Sequence, residues 1–487
     1  MLHPLIHHFQ LRDIFTIILC SIWLYGCKPL QEAGNTKPSV PLPENYSEKN
    51  DSTNLAELKW QNFFEDENLK ALIDIGLKNN LDLLKLSQRM EAANAAYRFQ
   101  KNLLLPSVDA FVNVGQTKFG KYTMDGVGNF DTNFSKNIEE AQKMKTHLPD
   151  FHVGLQASWE IDIWGKLSNR KKSAYARFLA SKEGKNLLLT NLIVDIATTY
   201  YELLALDNEL SIIRETNFLL QDALTLISLQ KQAGEANALA VEQFEAQLLS
   251  SKTLESEINL QVSICENKLN MLLGRYPQPI TRDINALNKP VSWKKNTGVP
   301  LQLLRNRPDI RQAEYELIAT KANVKAAKAA FYPSLAINGN IGFQSFNAAM
   351  WLLYPQSLAY NVLGGLVAPL LNRNQIKAAY NISKTEQAEA IYQFQYAVLN
   401  GFTEVNNQLA AINAMEKALD YKSKQTEILT RSVETSSSLF RSGRASYLEV
   451  LMAQKNALNS RLELVKVKQS QMNAFVNMYK ALGGGWK

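Results

Sequence analysis

Two stretches of this chain are almost free of the residues that interrupt helices. No proline lies between Pro149 and Pro277, and none follows Pro369. Residues 165–231 hold one internal glycine, Gly184, and residues 375–442 hold only Gly401. Proline removes a backbone donor and clashes with the preceding turn, while glycine adds an entropic cost, so such stretches favour uninterrupted helix. At 1.5 Å per residue a helix of ~65 residues reaches ~100 Å, several times the width of a small domain. No globular core can enclose it. It must pack lengthwise against other helices.

The partners show themselves as seams. From Leu448 to Tyr479, apolar residues recur in steps of three and four through Leu451, Leu458, Leu462, Val465, Met472 and Val476. A second seam runs from Val241 through Phe244, Leu248, Ile258, Val262 and Cys265 to Leu272. Alternating steps of this kind mark a coiled-coil stripe. They also make Cys265 a small buried side chain rather than a reactive thiol.

Between the helical regions the period drops to two. Val153, Leu155, Ala157, Trp159 and Ile161 alternate with Gly154, Gln156, Ser158 and Glu160. Strands are expected at about 107–116, 152–163, 334–344 and 359–371. Alternation over about ten residues fits a barrel strand with one lipid face and one lumen face, and equally a half-buried strand of a soluble sandwich. The ~100 Å helices and the N-terminal signal favour the barrel. Four strands close no barrel, since the smallest bacterial ones have eight, and open edges are intolerable in lipid. The chain must therefore contribute staves to a shared barrel, which argues for an oligomer.

The chain is also written twice. An offset of 209 residues takes Gly165-Lys-Leu to Asn374-Gln-Ile, Gly234 to Gly443, Val241 to Val450 and Leu272-Leu-Gly to Ala481-Leu-Gly. Leu105-Pro-Ser-Val is echoed by Tyr332-Pro-Ser-Leu. The fold class is thus mainly α with a transmembrane β-barrel: a long coiled-coil helical barrel plus four strands per protomer, internally duplicated. The first repeat spans 55–274 with its hairpin tip near 234. A connector at 275–304 leads to the second, 305–487, with its tip near 443.

At the N-terminus a run of about 12 apolar residues, Ile14–Tyr25, follows Arg12. That is too short to span a bilayer but right for a secretory signal. It ends in Leu24-Tyr25-Gly26-Cys27, which resembles the bacterial lipobox and assigns residues 1–26 to a signal and Cys27 to lipidation. Residues 27–54, with four prolines, read as a lipid-anchored linker. No later apolar run approaches 18 residues, so no helical span is expected.

Composition then removes classes. Three cysteines and five histidines leave only Cys265, His147 and His152 once the signal and Cys27 are set aside. That supports neither a disulfide framework nor a His-rich metal site, and no catalytic motif accompanies them. The net charge of +7 is dispersed, without the basic run of a nucleic-acid binder. We expect no enzyme, no cofactor, no metal and no nucleic acid. The 117–150 loop, which carries Asp125-Gly126 and Asp131, fits no calcium-loop spacing and reads as an external surface loop.

The residues resemble the outer membrane efflux proteins, the TolC-like channels, in their lipidated branch. The resemblance rests on "ASWEIDIWGKL" (157–167), "RNRPDIRQAEYELIATKANVKAAKAAFYPSL" (305–335), "RSGRASYLEVLMAQ" (441–454) and "YKALGGGW" (479–486). It implies a homotrimeric outer-membrane channel whose twelve pooled strands form one barrel and whose helices form a periplasmic tunnel. Partners would be outer membrane lipids, a periplasmic adaptor and an inner-membrane pump. The tips at Gly234 and Gly443 would face the adaptor. Arg441 and Arg444 would contact the adaptor or a neighbouring hairpin, or stand as solvated charges. Glu449 matches the first of two acidic aperture positions, but the second is Met452; it reads as an anionic ring or as a solvated coiled-coil position. A lipoprotein adaptor or a coiled-coil scaffold is the alternative, and the doubled hairpin with paired strands weighs against it.

Overall fold

The computed structural model describes residues 43–46, 54–288, 297–371 and 373–486. The signal and Cys27 lie outside the described residues. In chain order the main elements are α1 (Glu67–Asn79), α2 (Leu81–Asn102), β1 (Ser107–Thr117), α3 (Met124–Thr132), β2 (Leu148–Ile161), α4 (Lys166–Gln232) and α5 (Ala238–Leu272). The second half supplies α6 (Pro308–Ala329), β3 (Ser334–Ser345), β4 (Leu358–Val367), α7 (Arg373–Arg441) and α8 (Tyr447–Ala481). The duplication is metric: α2 and α6 have 22 residues each, α4 and α7 have 67 and 69, and α5 and α8 have 35 each.

Each long helix is about 100 Å and is accompanied along one half by a 35-residue helix, α5 on α4 and α8 on α7. Along the other half, α6 packs between α4 and α7, whereas α2 packs on α4 alone. By the internal symmetry α2 should have a second long-helix neighbour. Among the described residues it has none.

The strands form one antiparallel sheet in the order β1-β2-β3-β4. The register sorts side chains cleanly. Val112, Val153, Phe343 and Leu358 stand in one apolar row, and Asp109, Gln156, Asn340 and Asn361 in a polar row on the opposite face. At Gly154 and Gly342 the strands approach so closely that a Cβ on Gly342 would lie 2.6 Å from the Gly154 Cα. The outer edges of β1 and β4 have no partner strand among the described residues.

Strand becomes helix by a local device. After β2 the chain turns at Gly165 (φ +73°), and the Asp162 carboxylate accepts the Leu167 and Ser168 N–H groups at 2.9 and 2.7 Å. That satisfies the free donors at the start of α4. Trp164 stacks on Tyr332 (4.9 Å) and donates to the Pro333 carbonyl at 2.7 Å, tying the exit of β2 to the entry of β3.

The main core sits halfway down the helices. There Phe63, Leu69 and Ile73 meet Ile193, Ile196, Tyr200 and Leu204 of α4 and Phe475, Val476 and Tyr479 of α8. Phe63 lies flat on Tyr479 at 4.2 Å.

Three sequence expectations change. First, α4 does contain an 18-residue stretch long and apolar enough by composition to cross a membrane. That stretch is mostly buried and packs into the main core with α1 and α8. Second, the α8 seam is displaced near its tip. Val450, Ala453, Ala457 and Ser460 are buried, while Leu448 is exposed and Leu451 half-buried. Near the tip α8 carries two apolar stripes, and periodicity alone does not say which one meets α7. From Leu458 through Val465, Met472, Val476 and Tyr479 the stripe is the buried one, as is most of the α5 seam. Third, the linker region is in part packed on the helices: Tyr46 is buried and stacks on Phe402 of α7 at 5.6 Å. The loop between β1 and β2 holds α3, and Asn133 exchanges two hydrogen bonds with the Met144 backbone to close the segment behind it.

Candidate functional site

The hairpin tips are built differently on one plan. Gly234 (φ +79°) and Gly443 (φ +70°) turn the chain in the left-handed region that glycine tolerates, with open space where a Cβ would stand. In the first tip the Asn237 side chain caps α5 by accepting the Ala240 N–H at 2.9 Å. In the second, the Glu449 side chain supplies one half of a capping box, its Oε2 accepting the Ser446 N–H at 2.6 Å. The Ser-x-x-Glu spacing signals such a box from sequence alone. Reading Glu449 only as ring or solvated position missed it. The carboxylate is therefore exposed but engaged by its own helix start. Arg441 and Arg444 are exposed beside it.

A small second core joins the two tips. Leu220, Ile227, Phe244 and Leu248 of the first hairpin are buried, and Phe440, Tyr447 and Leu451 of the second pack against them. Gly234 and Gly443 are thus held at one end of the molecule by apolar contact.

Halfway up, the Arg-Pro-Asp block is a clasp. Arg307 is buried and donates to Asp309 Oδ1 (3.0 Å), Glu404 Oε2 (2.7 Å) and the Ala481 carbonyl (2.8 Å). Burial opposes its charge, but the hydrogen bonds and fields of Asp309 and Glu404 outweigh it and raise its pKa above the ordinary value. Gly401 makes this possible, since a Cβ there would lie 3.0 Å from Arg307 Nε. Arg311 pairs with Glu183 at 2.7 Å and lies over the Trp486 ring, whose Nε1 donates to the Asn306 carbonyl at 3.0 Å. One cation thereby ties α6, α7 and the end of α8 together. Arg282 does the same for the connector, reaching Asp207 Oδ1 of α4 at 2.9 Å and Glu266 of α5.

Among the described residues no group of three or more His, Cys, Asp or Glu could hold a metal ion. Cys265 is buried with its Sγ 3.4 Å from the Thr199 carbonyl, and burial pushes its thiol up to about 12. His152 lies on the polar sheet face beneath the Phe111 ring, at 4.6 Å.

A four-stranded amphipathic sheet with open edges, continued by ~100 Å helical hairpins, defines a protein class: channels that cross a membrane on pooled strands and extend beyond it as a helical tunnel. The family described as "Outer membrane efflux protein" matches residues 72–275 and 299–484, and the chain belongs to that family. It is similar to the cation efflux system protein CusC of Escherichia coli K12, 26% identical over 92% of this chain and 94% of the relative. It is also similar to the probable outer membrane lipoprotein SilC of Salmonella typhimurium, 26% identical over 98% and 99%. A crystal structure of CusC superposes with a TM-score of 0.79 at 25% identity, covering 92% of this chain and 98% of that one. The open-state channel MtrE of Neisseria gonorrhoeae shares the fold at a TM-score of 0.80 and 24% identity, covering 93% and 97%. The chain is an outer-membrane efflux channel protein.

Proposed function

We propose that three copies of this chain close one barrel of twelve strands over one continuous helical tunnel, conducting exported substrate passively. The observation that carries this is a double vacancy. β1 and β4 are open at the two ends of the sheet, and α2 is open on the flank where its symmetry mate α6 has α7. Joining β4 of one copy to β1 of the next sets α7 of the first beside α2 of the second, so one operation satisfies both. It also turns the apolar rows to lipid and the polar rows inward, as a membrane barrel requires.

The hairpin tips around Gly234 and Gly443, with exposed Arg441 and Arg444, then form the periplasmic end that a periplasmic adaptor engages, delivering substrate from an inner-membrane pump. Cys27 carries the lipid that tethers the N-terminus at the membrane. Glu449 serves first as a helix cap; three copies also place three carboxylates near the aperture, where they favour cations. Single-channel conductance of the purified full-length protein in planar bilayers tests the reading. Discrete, voltage-tolerant openings support it. A monomeric mass in detergent without conductance overturns it. Cys27→Ala should still fractionate with the outer membrane, because one set of acyl chains adds little to a barrel's anchoring.

A further inference from the structure

The four strands contain no lysine or arginine, although the chain as a whole carries a net charge of +7. The helix ends that adjoin them are the reverse. The last two turns of α2 present exposed Arg98 and Lys101, and the first two turns of α4 present exposed Arg170 and Lys172. The last two turns of α6 present exposed Lys325, and the first two of α7 present exposed Arg373 and Lys377. At 1.5 Å per residue all seven lie within about 9 Å of the helix end nearest the sheet. The ion pair at this level uses another cation, Lys166 with Glu160.

The macrodipole favours the cations at the ends of α2 and α6, but helix stability does not account for those at the starts of α4 and α7. Cations at the starts of α4 and α7 oppose the helix macrodipole, and neither helix has an acidic residue in its first turn. At the same height the aromatic residues change character. Trp159 stands on the apolar sheet face, and Trp164 and Tyr332 stack, half-exposed, at the junction. Such rings mark the boundary between the lipid band and water in barrels. Between strand ends and helix starts lies a cavity of about 440 Å³, lined by Trp164, Tyr332, Leu370 and Ile376, with Asp162 and the Lys166–Glu160 ion pair at its polar side.

We infer that this collar binds the phosphate headgroups of anionic phospholipids in the periplasm-facing leaflet. The inference rests on the outer-membrane reading. The charges sit just outside the apolar band, where headgroups begin, and their sign complements a phosphodiester without a compensating amine.

Native mass spectrometry of the full-length protein in detergent, titrated with phosphatidylglycerol or phosphatidylcholine of the same acyl chains, tests it. The wild type should retain at least about threefold more phosphatidylglycerol, and the excess should fall away toward about 0.5 M salt. The variant Arg170→Gln/Lys172→Gln/Arg373→Gln/Lys377→Gln should bind the two lipids equally while keeping its oligomeric mass. Arg98→Gln/Lys101→Gln, which leaves α4 and α7 untouched, should lose part of the excess. Millimolar inorganic phosphate should not displace the lipid. Equal binding of both lipids by the wild type overturns the inference, as does an undiminished excess in the first variant. Displacement by free phosphate would reduce the collar to a general anion site and overturns the lipid assignment. Wild-type conductance is read separately, so failure of the channel reading would be seen as such.

Discussion

At the scale of single residues, Glu449 shows how one carboxylate can carry two roles that different substitutions separate. Its bond to the Ser446 N–H satisfies a donor that the start of α8 would otherwise leave to water. Replacing Glu449 with alanine should destabilise the second hairpin by about 0.5–2 kcal/mol, the usual worth of such a cap. Glu449→Gln keeps a capping acceptor but removes the charge. It should leave thermal unfolding of the detergent-solubilised protein within about 0.5 kcal/mol of the wild type. If the carboxylate also faces the aperture, the same Gln variant lowers the cation preference in bilayer conductance. Unchanged selectivity would leave Glu449 a cap alone. The first tip offers an internal contrast, because Ala240 stands where Glu449 stands and Asn237 supplies the cap by itself.

At the scale of elements, the two long helices hold glycines whose surroundings differ, and the difference predicts opposite signs. Gly184 of α4 faces only the Gln312 side chain, at 3.5 Å, so a methyl group fits. Gly184→Ala should therefore raise stability by about 0.5–1 kcal/mol, the helix-propensity gain. Gly401 of α7 faces the Arg307 guanidinium at 3.0–3.2 Å. That group is held by two carboxylates and a carbonyl and cannot give way, so Gly401→Ala should destabilise despite its better propensity. Arg307→Met should lower stability by about 3 kcal/mol, because the carboxylates lose their cation while keeping some solvent. Thermal unfolding midpoints of the three variants decide it, and a gain for Gly401→Ala would show that Arg307 is not locked. Sequence supplied half of this. The scarcity of glycine in 165–231 and 375–442 predicts the helices, but nothing local says why Gly401 in particular persists, since its reason is a side chain 94 residues away. A greater separation in sequence hid the burial of Tyr46 on Phe402. The shifted stripe at the tip of α8 was unreadable for a different reason: Leu448 and Val450 are both apolar, and periodicity does not rank two stripes that each need a partner.

At the scale of the whole molecule, the alternation in the strands was legible because a period of two divides residues into faces before any partner is known. Which face meets lipid depends on closure, and closure depends on copies beyond this chain. The register resolves the faces sharply enough for neighbouring residues to serve as a test. Val112 is in the apolar row with Val153 and is 65% exposed in the single chain, while Asn113 sits on the polar face opposite His152. Both lie near the middle of β1. In a closed barrel Val112→Arg puts a charge into the lipid band at a cost of about 2–4 kcal/mol, and Asn113→Arg puts the same charge into water inside the lumen. The first variant should reach the outer membrane poorly and lose the heat-modifiable mobility of a folded barrel on gels. The second should assemble normally and shift conductance toward anions, since the polar rows otherwise hold Asp109, Asp150 and Glu160 and no lysine or arginine. A half-buried sandwich would give the reverse contrast or none: with no lumen, Asn113→Arg would have no conductance to change, and Val112→Arg would damage folding in a protein soluble without detergent. The pair thus tests the closure of the barrel from one strand, without cutting the contacts that hold the copies together.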